Sequence, residues 1–161
     1  MLVSIACDGN SWFKLFESVA LAIVRVFSFG HWSEIDVVVN YKLIKNEEDH
    51  DDLKEEINKL TEYCHREGVI VKIIIETGTL NYQEIESICR MATDVDFIMT
   101  STGKLPNDDS FETKLEKVKF MRKILPDEVK IKISGGIRTI EQVKDAKPFV
   151  DRIGTSSLKI N

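Results

Sequence analysis

Paired cysteines are missing from this chain. Cys7, Cys64 and Cys89 form no C-x-x-C and share no regular spacing. So odd and sparse a set excludes a disulfide framework and fits reduced thiols in a cytoplasmic protein. Cys64 and His65 are neighbours, but no second ligand pair follows at zinc-finger spacing, so neither a metal nor another cofactor is expected. A basic surplus is missing too. The formal net charge is -5, which argues against a nucleic-acid partner, whose binders usually carry a basic face. Net charge leaves room for a local basic pocket around a small phosphorylated ligand. Long uninterrupted apolar runs are absent as well. Residues 11–29 are strongly apolar, yet Lys14, Glu17 and Arg25 break them, and a membrane span needs about 20 mostly apolar residues. No basic segment precedes them, so neither a signal peptide nor a membrane partner is expected. Proline is scarce and glycine modest, and both fall near breaks in the pattern rather than in a linker. The 161 residues, 43% hydrophobic and 30% charged, therefore read as one globular domain, 1–161, with a real core.

What is present is alternation. Short apolar runs predict strands at 2–7, 35–39, 69–75, 96–100, 129–133 and 151–154. Helical patterns lie between them at 11–29, 51–67, 82–92, 110–125 and 139–147. Ser11 and Gly30 bracket the first helix as N-cap and C′ residue, and Gly68 closes the second. Asn81 with Glu84 three residues on predicts a capping box, and Thr139 predicts another N-cap. Six strands separated by five helices imply an α/β fold with a parallel sheet, either open and doubly wound or closed as a barrel.

The strand faces carry the next clue. Ile35, Val37 and Val39 share one face, as do Val71, Ile73 and Ile75, and Val129, Ile131 and Ile133. The opposite face holds Asp36, Val38 and Asn40, then Lys72, Ile74 and Glu76, then Lys130, Lys132 and Ser134. The aliphatic face suits packing under helices. The mixed face is either a solvated sheet surface or the interior of a barrel in which polar groups converge.

Five motifs occur in order near the strands. They are Glu34-Ile35-Asp36-Val37-Val38, Ile74-Ile75-Glu76-Thr77-Gly78, Thr100-Ser101-Thr102-Gly103-Lys104, Lys132-Ile133-Ser134-Gly135-Gly136-Ile137-Arg138-Thr139 and Arg152-Ile153-Gly154-Thr155-Ser156-Ser157-Leu158. In order and spacing this set resembles the deoxyribose-phosphate aldolase family over residues 2 to 158. The resemblance implies an incomplete (β/α)₈ TIM-barrel-like fold, with this chain supplying strands three to eight. Barrels of this type usually need at least about 200 residues.

The resemblance also implies a phosphate site in the loops after the last three strands. The matching residues are Gly103 and Lys104, then Gly135, Gly136 and Arg138, then Gly154, Ser156 and Ser157. Glycines admit backbone N–H groups to an anion, serines donate, and a helix N-terminus adds a favourable dipole. The family's catalytic set is a strand-six lysine that forms a Schiff base, a strand-seven lysine that depresses its pKa, and a strand-four aspartate in the proton relay. Asp36 and Lys132 match the last two. The Schiff-base position is Met99, which nearly matches lysine in length but has no nitrogen.

Three functions remain open. The first is a degenerate aldolase-like protein that keeps its phosphate pocket and acts by binding or assembly, and the reading leans this way, away from an enzyme. The second is an active lyase cleaving 2-deoxyribose 5-phosphate through Lys132 or a rearranged site. The third is a purely structural subunit. The segment 11–29 bears on assembly. Trp12, Phe13, Phe16, Val19, Ala20, Ile23, Val24 and Phe27 form a helical stripe, while Leu15, Leu21, Val26 and Phe29 lie off it. A helix apolar nearly all round predicts a homo-oligomer, or a contact with another chain, through Trp12, Phe16 or Phe29.

Overall fold

The computed structural model describes residues 4–6, 34–156 and 158. The expected helix 11–29, Cys7 and Ser157 lie outside the described residues. Six parallel strands form one sheet: β1 (Ser4–Ala6), β2 (Glu34–Val38), β3 (Ile70–Ile74), β4 (Phe97–Met99), β5 (Lys130–Ser134) and β6 (Arg152–Gly154). Their spatial order is their sequence order, β1-β2-β3-β4-β5-β6. A doubly wound sheet reverses its order at a switch point, and this one does not. Sequential winding is the arrangement of a barrel wall.

The helices between the described strands are α1 (Tyr41–Ile44), α2 (His50–Arg66), α3 (Tyr82–Met91), α4 (Phe111–Arg122) and α5 (Ile140–Ala146). Their ends follow local chemistry. The Asn81 side chain accepts from Glu84 N while Glu84 accepts from Asn81 N, so the expected capping box starts α3. Thr139 and Gln142 make the same reciprocal pair at α5. Ser110 caps α4, and Gly68 follows α2 with φ +70°, a conformation cheap only for glycine. The one-turn α1 was not anticipated from the sequence. Asn40 caps it by accepting from Lys42 N, a signal too short for a periodicity argument.

The aliphatic strand face is the core. Ile35, Val37, Val71, Ile73, Ile131 and Ile133 are buried against Leu53, Ile57, Ile85, Ile88, Val118 and Met121 from the helices. Burying each such side chain contributes about 1.5–3 kcal/mol. Cys64 and Cys89 belong to this layer, and burial pushes both thiols up to about 12.

One carboxyl in the helical layer works against folding. Burial first, then the neighbouring Asp52, pushes Glu56 up to about 7 from an ordinary 4.5. The folded state therefore holds this proton more tightly than the unfolded state. Stability should fall as pH rises from about 4.5 to about 7, where ionisation must occur in the less hospitable state. Glu56→Gln should flatten that slope and raise Tm in the neutral range. Thermal melts across the interval check it, and an unchanged slope would count against the burial argument.

Candidate functional site

The mixed strand face is not solvated. Asp36 and Lys72 are 0% exposed and Lys132 is 6% exposed. Lys130, at the start of β5, is the exception and stays exposed. The charges on this face form an alternating series, buried at Asp36, Lys72 and Lys132 and part-exposed at the end formed by Glu34 and Arg152. Arg152 donates to both oxygens of Glu34. Glu34 Oε2 lies 2.7 Å from Lys72 Nζ. Lys72 donates to Asp36 Oδ1 at 2.9 Å, and Lys132 donates to Asp36 Oδ2 at 2.8 Å. Phe97 floors the group, with the Arg152 guanidinium 4.8 Å and Lys72 Nζ 6.0 Å from its ring centroid. Hydrogen bonding from Arg152 holds the Glu34 carboxyl down at about 2 against its burial, and Lys72 adds to the fall.

These contacts also measure curvature. Glu34 is on β2 and Arg152 on β6, four strand spacings apart. In a flat sheet that separation is about 19 Å. Direct ion pairs from β2 to β5 and β6 require the wall to curl until its inner face meets itself. The polar face is thus a barrel interior, and the solvated-sheet alternative is excluded.

Above this ion series, at the C-terminal ends of the strands, a cavity of about 310 Å³ opens. Met99, Gly103, Lys132, Gly135, Gly136, Arg138, Gly154 and Ser156 all line it, so eight of the expected site residues converge. Met99 and Lys132 are register partners on β4 and β5, so their side chains enter side by side. The lining carries two cations, Lys132 and Arg138, and no carboxylate. Asp36 lies beneath it as the carboxylate partner of Lys132.

Two expected features are placed differently from the rest of the set. Lys104 is exposed and does not line the cavity; its N–H is turned to Thr102 Oγ1 at 3.3 Å. At the N-terminus of α5 part of the donor capacity is taken up by the capping box. Arg138 N and Thr139 N both donate to Gln142 Oε1, and Gln142 N donates to Thr139 Oγ1. The capping box thus satisfies groups that an anion would otherwise use.

Other site features escaped the sequence reading. Thr102 and Thr155 line the cavity. Lys72 was placed on the right face but not joined to Asp36, because the bond runs between strands. Lys114 on α4 is buried beneath the loop after β5, whereas Lys117, one turn on, is buried with its hydrogen bonds directed to residues outside the cavity lining. Lys114 donates to Asp108 Oδ2, and Lys117 donates to both Asp109 oxygens and to Thr77 O at 2.7 Å. Lys114 falls on the stripe of Phe111, Leu115 and Val118, and that position was the available signal. Among the described residues, no group of three or more His, Cys, Asp or Glu is placed to hold a metal ion, and no helix is long and apolar enough to cross a membrane.

Comparison with known proteins adds an independent line. No protein-family model matches the chain. A deoxyribose-phosphate aldolase from Lactobacillus acidophilus is 38% identical over 128 residues, which are 78% of this chain and 52% of that protein. The solved structure of QR15, an aldolase, is 31% identical, with a TM-score of 0.74 over 96% of this chain and 69% of its own. The chain belongs to the deoxyribose-phosphate aldolase family. A deoxyribose phosphate aldolase from Aeropyrum pernix, 20% identical, shares the fold, with a TM-score of 0.75 over 96% of this chain and 63% of its own. The chain spans about half the length of the curated relatives it matches. For a member of this aldolase family, the cavity lies at the end of the sheet where barrel enzymes carry their sites.

Proposed function

We propose that this chain binds a phosphorylated small molecule in the strand-end cavity and has no Schiff-base lyase chemistry there. The observation that carries the reading is Met99. It enters the cavity beside Lys132, in the slot that the family resemblance gives to the imine-forming lysine. A thioether cannot condense with an aldehyde. Lys132 itself donates to Asp36 at 2.8 Å. Its nitrogen is thus engaged by a buried carboxylate in this structure.

The anion half of the proposal rests on the lining. Two cations, a set of glycines and the hydroxyls of Thr102 and Ser156 surround a space without carboxylates, while the Thr155 hydroxyl donates to Ile137 O. Arg138→Ala and Ser156→Ala should each weaken inorganic phosphate binding. The arginine should cost about tenfold or more, because hydrogen bonds to charged groups are worth about 1.5–3 kcal/mol. Calorimetric titration checks it. If both variants bind as the parent does, the cavity is residual and the purely structural reading replaces this one.

A second reading is favoured by the names of the relatives and by Lys132 facing the cavity. It is a lyase cleaving 2-deoxyribose 5-phosphate to glyceraldehyde 3-phosphate and acetaldehyde. Borohydride trapping with acetaldehyde separates the two, since an adduct on Lys132 of the parent chain would support the lyase.

A further inference from the structure

Lys114 is a fully buried lysine that neither lines the cavity nor joins the interior ion series. All three of its N–H groups are committed. They go to Asp108 Oδ2 at 2.8 Å, to Ser134 O at 2.9 Å and to Gly135 O at 2.9 Å. The two carbonyl acceptors belong to successive peptide units in the loop that follows β5. Among the described residues every peptide bond is trans. In a trans peptide the C=O and the following N–H point in opposite directions. A lysine that draws the carbonyls of Ser134 and Gly135 to one side therefore turns the N–H groups of Gly135 and Gly136 to the other. Ser134, Gly135 and Gly136 all line the cavity, and Lys114 is on the far side of them. Among the described residues, neither glycine N–H donates to a backbone acceptor outside the regular ladders.

The fit around Gly135 supports a built arrangement. Its φ is +83°, and a Cβ there would lie 2.6 Å from Asp108 Oδ2, 2.8 Å from Lys114 Nζ and 2.9 Å from Ser101 Oγ. The loop thus lies directly on the ion pair.

We propose that Lys114, held by Asp108, is a positioning residue for anion binding: it orients the Gly135 and Gly136 N–H groups toward the oxygens of a phosphate monoester in the cavity. The inference rests on the anion-site reading above and adds to it a residue outside the cavity. Lys114 touches no ligand and acts through the two peptide units. Lys117, one helical turn beyond Lys114, and Asp109, next to Asp108, form a natural control. Their pair is anchored on Thr77 O in the turn that follows β3, away from the loop after β5.

The experiment is a titration with inorganic phosphate, followed by backbone amide NMR, on the parent chain, on K114M/D108L and on K117M/D109L. Each double variant removes a whole ion pair and so leaves no unpaired buried charge. In the parent, the Gly135 and Gly136 amide protons should shift and saturate with phosphate. In folded K114M/D108L, affinity should fall about tenfold or more, and those two amides should drop out of the responding set. K117M/D109L should bind as the parent does. If K114M/D108L does not fold, Lys114→Gln, whose amide is too short to span both carbonyls, should show the same loss of glycine response. Unchanged affinity with unchanged glycine shifts in either Lys114 variant overturns the proposal, as does an equal loss in K117M/D109L. A parent chain that binds no phosphate overturns the anion-site reading itself, and this inference with it.

Discussion

Met99→Lys should create imine chemistry where the parent chain has none. With acetaldehyde and borohydride, the variant should gain an N-ethyl group on the substituted residue, and the parent should gain none. The amine condenses with the aldehyde and releases water, and borohydride delivers hydride to the imine carbon. The physical ground is local. Met99 is buried in the wall of the cavity, and lysine has nearly its length and lack of branching. The new amine would stand beside Lys132, and like charge favours its neutral, nucleophilic form. Supplying a missing covalent nucleophile is a large change, since losing one costs about 10⁶ in turnover in the subtilisin case. A gain of about 10³ or more in trapping rate is the expected result, read by mass spectrometry with peptide mapping. If the variant remains inert while folded, the slot is not the imine position. If the parent is modified at Lys132, the lyase reading takes its place.

Asp36→Ala should cause the largest loss of stability of any single change in the site. Asp36 is fully buried and holds two ammonium groups, one on each carboxylate oxygen. Its removal leaves Lys132 without its carboxylate and Lys72 with Glu34 alone. Breaking a buried ion pair from one side costs about 3–5 kcal/mol, because a charge is left uncompensated in a poorly solvated place. For a chain of this size that corresponds to a Tm lower by roughly 10 °C. Denaturant and thermal unfolding of the parent and the variant measure it. A loss below about 1 kcal/mol would mean that water reaches the interior and solvates both lysines, and the buried series would not be what holds β2 against β5.

Most of the wall was legible in the sequence. The strands are short, mostly apolar runs ended or followed within four residues by glycine, asparagine or aspartate, and each described strand lies where those runs lie. The capping box of Asn81 and Glu84 is a local device, and its partners are three residues apart, so sequence spacing alone reveals it. The cavity glycines were legible because they follow strands in ordered motifs. The status of Lys104 was not, because a loop residue can turn either way and only packing decides which.

The sequence by itself determined the alternation of elements, the sidedness of each strand and the lack of a nitrogen at Met99. These depend on side-chain period and on covalent identity, which require no distant neighbour. Only the tertiary structure decided that the mixed face is an interior. Asp36 and Lys132 are 96 residues apart, and Glu34 and Arg152 are 118 apart. Whether such charges meet depends on how far the wall curls, and curvature accumulates over the whole sheet through strand twist and helix packing. The same holds for Lys114. Its helical position marks it for burial, but its role depends on which peptide units the folded loop lays against its ammonium group.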